Sequence, residues 1–152
     1  MVGRMPSTYG SLHLHVVFST HERRPQIANV WRPRLHAWLQ AALRQAQALP
    51  LVAGGIDDHV HLLFGLPPRL ALSDLMGDVK RASSRWVHRE MGMPSFAWQE
   101  GYSYFAVGAE AIPAVHDYIA RQEEHHRKFS FRDELVKLLQ EHGVPYDERY
   151  LL

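Results

Sequence analysis

Hydrophobic and polar residues alternate from Leu12 to Ser19, with Leu12, Leu14, Val16 and Phe18 on one side and His13, His15, Val17 and Ser19 on the other. Successive side chains of a strand point to opposite faces, so this segment is predicted as a β-strand with one strongly apolar face. After the polar stretch THERRPQ the period changes. Trp31, Leu35, Trp38, Leu39, Ala42 and Leu43 recur at the spacing that lines up one stripe of a helix, until Leu49 and Pro50 close the run. Leu51 to Ile56 and His59 to Leu66 return to strand character on either side of Asp57 and Asp58, a polar break suited to a hairpin.

Beyond Pro67 and Pro68, Ser73 is placed to cap a second helix that runs to about Arg89, with Leu75, Met76, Val79, Ala82, Ser83 and Trp86 as its buried stripe. Phe96 to Gln99 and Tyr102 to Val107 read as one further strand, or as two short pieces parted at Gly101. A third helix is expected around Pro113, from about Ile112 to Lys128, and a fourth from Phe131 to His142. Strand, helix, strand, strand, helix, strand and terminal helices predict an α+β fold. The arrangement is the ferredoxin-like split βαβ, a four-stranded antiparallel sheet with helices on it and added C-terminal helices. A chain of 152 residues fits one domain spanning its whole length.

Composition narrows the chemistry. Hydrophobic residues at 46% and charged residues at 22% are those of a globular chain. The absence of cysteine excludes disulfides, thiolate zinc sites and a cysteine nucleophile, so any metal must be held by histidine, carboxylate or amide groups. No apolar run reaches the length of a membrane span, and the start MVGRMPSTYGS lacks the apolar core of a secretory signal; a cytoplasmic location without a membrane partner is expected. A net charge of only +1 means that nucleic-acid binding would need a local basic face.

Eleven histidines are many for this length. His59 and His61 lie two apart, so on a strand both imidazoles leave the same face while Val60, Leu62 and Phe64 fill the other. That arrangement can chelate one divalent ion and leave positions open for other oxygens. His13 and His15 repeat the pattern on the first strand. In a split βαβ sheet the first and third strands are neighbours, so both pairs can face one region, with His15 as an outer hydrogen-bond partner or simply a neighbour. A bland reading, partly exposed and hydrogen-bonded strand histidines, competes for both pairs.

Tyr118 and Gln122 are four residues apart, on one face of the third helix and about one turn from each other. Two readings are open. Tyr118 is either an ordinary amphipathic helix residue or a nucleophile for a phosphodiester polarised by a metal, with Gln122 reaching the same metal as a neutral oxygen ligand. His125 and His126, followed by Arg127 and Lys128, are read as a solvated or phosphate-facing helix end, because consecutive helix residues diverge and cannot both face one ion. On the second helix Lys80, Arg81, Arg85 and Arg89 form a basic stripe, with Ser83 and Ser84 beside it, that suits either solvent or phosphates. Arg23 and Arg24 in the first loop can extend the patch.

Three segments stand in a fixed order: DHVHLLF on a strand, KRASSRW on a helix, and YIARQEEHH on a later helix after WQEGYSYFAV. Together they resemble the single-tyrosine HUH transposases of small bacterial insertion sequences, including those associated with repetitive extragenic palindromes. The likeness extends from LHLHVVFST to HGVPYDERYL. It implies a metal site at His59 and His61 with Gln122 as third ligand, a divalent Mg2+ or Mn2+ ion, and Tyr118 as nucleophile. It also implies cleavage and rejoining of single-stranded DNA beside hairpin ends through a 5′-phosphotyrosine. Homodimers with composite sites are implied as well, with Gly108 before the tyrosine helix as the hinge of the exchange. His13 and His15 fall where the family does not place its metal.

Other classes fit less of the chain. A histidine-triad-like nucleotide hydrolase would need a third histidine where Leu63 stands. A catalytically silent hairpin-binding protein derived from a transposase would keep the same residues, whereas a purely structural module would have no use for the YIARQ segment.

Overall fold

All seven residues of the strand His59–Gly65 are buried, and the rest of the fold is arranged around it. The structure, a computed structural model, describes residues 7–151. Its elements are β1 (His13–Ser19), α1 (Arg32–Gln45), β2 (Leu49–Gly55), β3 (His59–Gly65), α2 (Leu72–Glu90) and β4 (Ser103–Val107). Three helices follow: α3 (Ile112–Ala120), α4 (Gln122–His125) and α5 (Phe131–Glu141). The strands form one antiparallel sheet in the order β2-β3-β1-β4, the split βαβ topology expected from the sequence.

The alternation along the strands sets the layers. Leu14, Val16 and Phe18 of β1 and Val60, Leu62 and Phe64 of β3 face one side, where Leu35, Leu39 and Leu43 of α1 and Met76, Val79, Trp86 and Val87 of α2 cover them. Each such aliphatic side chain, fully removed from water, contributes about 1.5–3 kcal/mol, so this face anchors the fold. The opposite face carries His15, His59 and His61, since His61 stands directly across from Val17 in the β1–β3 register. Val17 and Phe105 on that side pack with Phe131, Leu135 and Leu139 of α5.

Several boundaries differ from expectation. Strand β2 starts at Leu49 and includes Pro50, which is tolerated because β2 lies at the sheet edge. Helix α1 therefore stops earlier, at Gln45, and Gln47 makes the turn with φ 72°. Ser73 is not the cap of α2: the helix begins at Leu72, its N-cap Ala71 supplies no side-chain bond, and Asp74 favours the first turn by charge. Phe96 to Gln99 is not a strand, because only Thr20 and Trp98 bridge there. The long tyrosine helix is two helices, broken at Arg121 (φ −105°, ψ 29°).

Two glycines shape the β2–β3 hairpin and its cover. Gly55 has φ 147°, a conformation that favours glycine. A Cβ at Gly54 would overlap the carbonyl oxygen of Ile119 and come within 2.9 Å of its Cγ2, so the bare backbone at Gly54 is what lets α3 lie against β2.

Candidate metal and tyrosine site

The histidine face of β3 is closed by α3, α4 and α5, and the side chains meet on one carboxylate. Glu134 of α5 is 3% exposed. Its Oε1 lies 2.9 Å from His61 Nε2, 3.2 Å from His126 Nε2 and 3.3 Å from His59 Nε2. Its Oε2 accepts from the Tyr118 hydroxyl and, at 3.0 Å, from Gln122 Nε2. Gln122 Oε1 in turn lies 3.0 Å from both His59 Nε2 and His126 Nε2. Tyr118, Gln122, His59 and His61 are thus brought together within one chain.

The outer nitrogens of the three imidazoles are already committed. His126 Nδ1 donates to the Phe129 carbonyl at 2.6 Å, and His59 Nδ1 to the Asp58 carboxylate at 2.7 Å. His61 Nδ1 pairs with His15 Nε2 at 2.7 Å. A neutral ring that donates through Nδ1 presents a lone pair at Nε2. For His59 and His126 those lone pairs face the oxygens of Gln122 and Glu134, which are themselves acceptors. Acceptors facing acceptors need positive charge between them, so the donor set fits a cation. The His59, His61, His126 and Glu134 ligand atoms all lie within 4.8 Å of one another, a cluster that can hold a divalent metal ion.

In the metal-free arrangement protons do part of this work. Burial disfavours a charged His59, but its hydrogen bonds to Asp58 and Glu134 prevail and raise it to about 9. Burial dominates at His61, lowered to about 4 despite Glu134, and at His15, lowered to about 3 by burial and then by the proximity of His61. The cluster thus stores one proton at His59 while His61 and His15 stay neutral. Glu134 is ionised: burial opposes it, but the surrounding imidazoles, His61 foremost, hold its carboxyl far below the usual range. The Tyr118 phenol is pushed up by burial and by the charge of Glu134.

Sequence reasoning missed Glu134 and misread His126. Glu134 interrupts the apolar stripe Phe131, Leu135, Leu138 and Leu139 of α5, and an acidic residue on a buried stripe was the available signal. His126 is not a solvated helix end. Its side chain is 3% exposed, and it extends the four-residue step that relates Tyr118 to Gln122. His125 does not point away either: its Nε2 lies 3.4 Å from Glu134 Oε2, the other oxygen of the carboxylate that His126 approaches, and its ring packs on that of Tyr118 with centroids 5.3 Å apart. Leu63, on the histidine face of β3, is a fully buried core residue.

The remaining sequence candidates lie around this centre. His13, at the far end of β1, has its Nδ1 3.3 Å from Ser11 Oγ. Lys80 Nζ is bonded to the carbonyls of Gln99, Glu100 and Gly101 at 2.6, 3.0 and 2.8 Å, and burial lowers it to about 8. Arg81 pairs with Asp78 at 2.6 Å, Ser84 approaches the Phe96 carbonyl at 3.4 Å, and Arg85 is exposed. Arg24 pairs with Glu22 at 3.2 Å, whereas Arg23 shares a cleft with Asp58 and His126. Gly108 has φ −69° and ψ 155°, which any residue adopts. Among the described residues no helix is long and apolar enough to cross a membrane.

Fold and site define a split βαβ protein with an inward-facing histidine–carboxylate cluster beside a tyrosine helix. The chain belongs to the family described as "Transposase IS200 like", whose profile matches residues 8–122, from before β1 to the start of α4. Transposases of this family are in general DNA endonucleases and strand transferases. The transposase for insertion sequence element IS200 from Salmonella typhimurium is 28% identical over 116 residues, covering 72% of this chain and 76% of that protein. The transposase of the same element from Salmonella typhi matches equally, at 28% identity.

Two solved structures share the fold. A candidate transposase from Deinococcus radiodurans R1 aligns with TM-score 0.64 and 20% identity over 80% of this chain and 98% of that one. A REP-associated tyrosine transposase bound to a REP hairpin aligns with TM-score 0.59 and 16% identity over 82% of this chain and 74% of that one.

Proposed function

We propose that this transposase cleaves and rejoins single-stranded DNA beside hairpin ends, with Tyr118 as nucleophile. The observation that carries the reading is the meeting of the Tyr118 hydroxyl, Gln122 and the paired histidines on the single carboxylate of Glu134. As the Tyr118 oxygen attacks phosphorus its proton passes to Glu134 Oε2, the bond from phosphorus to the 3′ oxygen breaks, and that oxygen takes up a proton and leaves as a 3′ hydroxyl. A 5′-phosphotyrosine link conserves the phosphodiester energy, so the reverse step on another 3′ end needs no nucleotide cofactor.

His59 and His61, with Gln122, His126 and Glu134 as further candidate ligands, would hold Mg2+ or Mn2+. A divalent ion so held would supply polarisation of a phosphodiester and offset developing charge. The protein's own groups do the rest. His15 and Asp58 orient the two strand imidazoles through their outer nitrogens. Glu134 accepts from the Tyr118 hydroxyl and aims its oxygen into the cluster, and the cover of α5 excludes water. Arg23, Arg24, Arg81, Arg85 and Ser84 are the candidate DNA contacts outside the cluster. Lys80, bonded to three carbonyls, shapes the loop before β4 and reaches DNA only by giving up those bonds. The enzyme works on cytoplasmic DNA.

The second reading, a silent hairpin-binding derivative, draws on the complete burial of His59 and His61. One experiment separates the two: labelled single strands carrying a hairpin are incubated with metal and resolved on a denaturing gel. Wild-type protein yields a covalent adduct, and Tyr118→Phe binds the hairpin but yields none. Equal adduct from both would remove Tyr118 from the mechanism, and no adduct from either would favour the silent reading. A mixture of Tyr118→Phe and His59→Ala proteins tests the homodimer. Adduct from the mixture means that subunits exchange tyrosines, with Gly108 as the candidate hinge, and its absence means that each chain uses its own.

A further inference from the structure

A cavity of about 380 Å³ opens between the first turns of α1 and the break between α3 and α4, and attack by Tyr118 on a metal-polarised phosphate leaves it unused. It is lined by Asn29, Arg32 and His36 from the α1 side, by Gly54 and Gly55 of β2, and by Ile119 to Gln122, the segment that continues directly from Tyr118. Small-molecule sites span about 300–1,000 Å³, so this one has room for a single nucleotide unit and not for a duplex.

Its chemistry is selective. His36 Nε2 is buried and has no hydrogen-bond partner. A buried polar atom left unpaired is destabilising, and a ligand that pairs with it removes that penalty. The charges around the cavity are nearly balanced. Arg32 is held by the Ile27 carbonyl at 2.8 Å and by Glu123 at 3.3 Å, and Arg121 by Asp117 at 3.2 Å, while Arg127 and Glu124 add one charge of each sign. Burial, and then the charge of Arg32, push His36 down to about 4, so its ring is neutral and offers one donor and one acceptor. A phosphate seeks cations, whereas a neutral ring in a charge-balanced cavity suits the edge of a neutral heterocycle.

We infer that this cavity is a nucleobase site that takes one unpaired base of the DNA strand next to the bond Tyr118 attacks, with His36 pairing to the base's edge. The inference rests on the strand-cleavage reading and extends it to specificity, since the cavity is lined by Ile119 to Gln122, the residues that follow Tyr118 directly in the chain.

The test is a scan in which each unpaired nucleotide flanking the hairpin is replaced in turn by an abasic residue, with adduct rates measured for wild type and His36→Leu. The variant fills the ring's volume without its nitrogens, and its melting temperature is checked against wild type. One position should cost wild type about tenfold or more. In His36→Leu the intact strand should already be slowed by that factor, and the abasic strand no further. Equal position-by-position losses in both proteins overturn the inference and leave strand cleavage standing. A second arm needs no cleavage: strands with 2-aminopurine at each position are bound to Tyr118→Phe protein in chelator, and fluorescence is read. Quenching at one position that the added His36→Leu change abolishes supports the site even if wild type cuts nothing. Free deoxynucleoside monophosphates that quench or compete while no in-strand base matters would assign the cavity to mononucleotides and sink the inference.

Discussion

The two histidine pairs share one spelling and one sheet face, yet their surroundings differ. His59 and His61 are fully buried beneath α4 and α5, with both inner nitrogens on Glu134. His13 and His15 sit on the adjacent strand, but His13 pairs in register with Gly65 and Val107, at the end of the sheet away from the Asp58 turn. Its nearest side-chain partner is a serine. His15 lies midway and is recruited from outside, as the partner of His61. A period of two chooses the face of a strand; the position along the strand, relative to the helices that cross it, decides which imidazoles meet other ligands.

The strongest way to break this contrast is to delete one imidazole from each pair and titrate metal. His59→Ala should lower affinity for Mn2+ by roughly a thousandfold, beyond the ~10–100-fold typical of losing an outer hydrogen bond, and His13→Ala should leave it within about twofold. Calorimetric titration reads both, and comparable losses would mean that the first-strand pair also binds. The contrast further depends on α3 and α4 reaching β3 across β2. Gly54→Val places a side chain against the Ile119 carbonyl and should push the helix away. Adduct formation should fall about a hundredfold, as for a misplacement near 1 Å, while metal affinity falls by less, because His59, His61 and Glu134 stay in place and only the ligands that follow α3 shift. Parallel loss of metal binding and melting temperature would show that Gly54 merely supports the fold.

Much of this was legible from periodicity. The alternation in β1 and β3 and the stripes of α1 and α2 come from burial of one face, a local property of the sequence, so the split βαβ order and the histidine face could be read directly. The break at Arg121 could not, because it answers to packing of α3 on Gly54, a contact between segments far apart in the chain. Glu134 was hidden for a related reason. A carboxylate on an apolar stripe signals a buried partner, but nothing local says that the partner is on β3. Tyr118 and Gln122 were legible as a pair, and their place beside the histidines was not.

His15 tests the smaller half of the comparison, the pair member that supports without binding. His15→Leu keeps the ring's place apolar and removes the bond to His61 Nδ1, so His61 loses its fixed orientation. Metal affinity should drop about tenfold, and added imidazole should not restore it, since the lost contact is inside the packed face. No change in affinity would make His15 a neighbour only.

The mildest effect is on stability against pH, where the histidines pull in opposite directions. His15, His36 and His61 are lowered from 6.5 to about 3, 4 and 4, so unfolding lets them take up protons. Their contribution is complete above pH 6.5 and is lost as pH falls toward 4. His59 is raised from 6.5 to about 9, so its contribution is complete below pH 6.5 and is lost as pH rises through 9. Metal-free protein should therefore be most stable near pH 6.5, with a decline on both sides in chemical denaturation. Bound Mn2+ replaces the stored proton as the positive charge facing Glu134, so the alkaline decline should disappear while the acid one steepens, because protons then compete with the metal. An alkaline limb unchanged by metal would show that the proton on His59 and the ion occupy different places. In that case the cluster on β3 would be a buried ion-pair network, and its distinction from His13 and His15 would be one of packing alone.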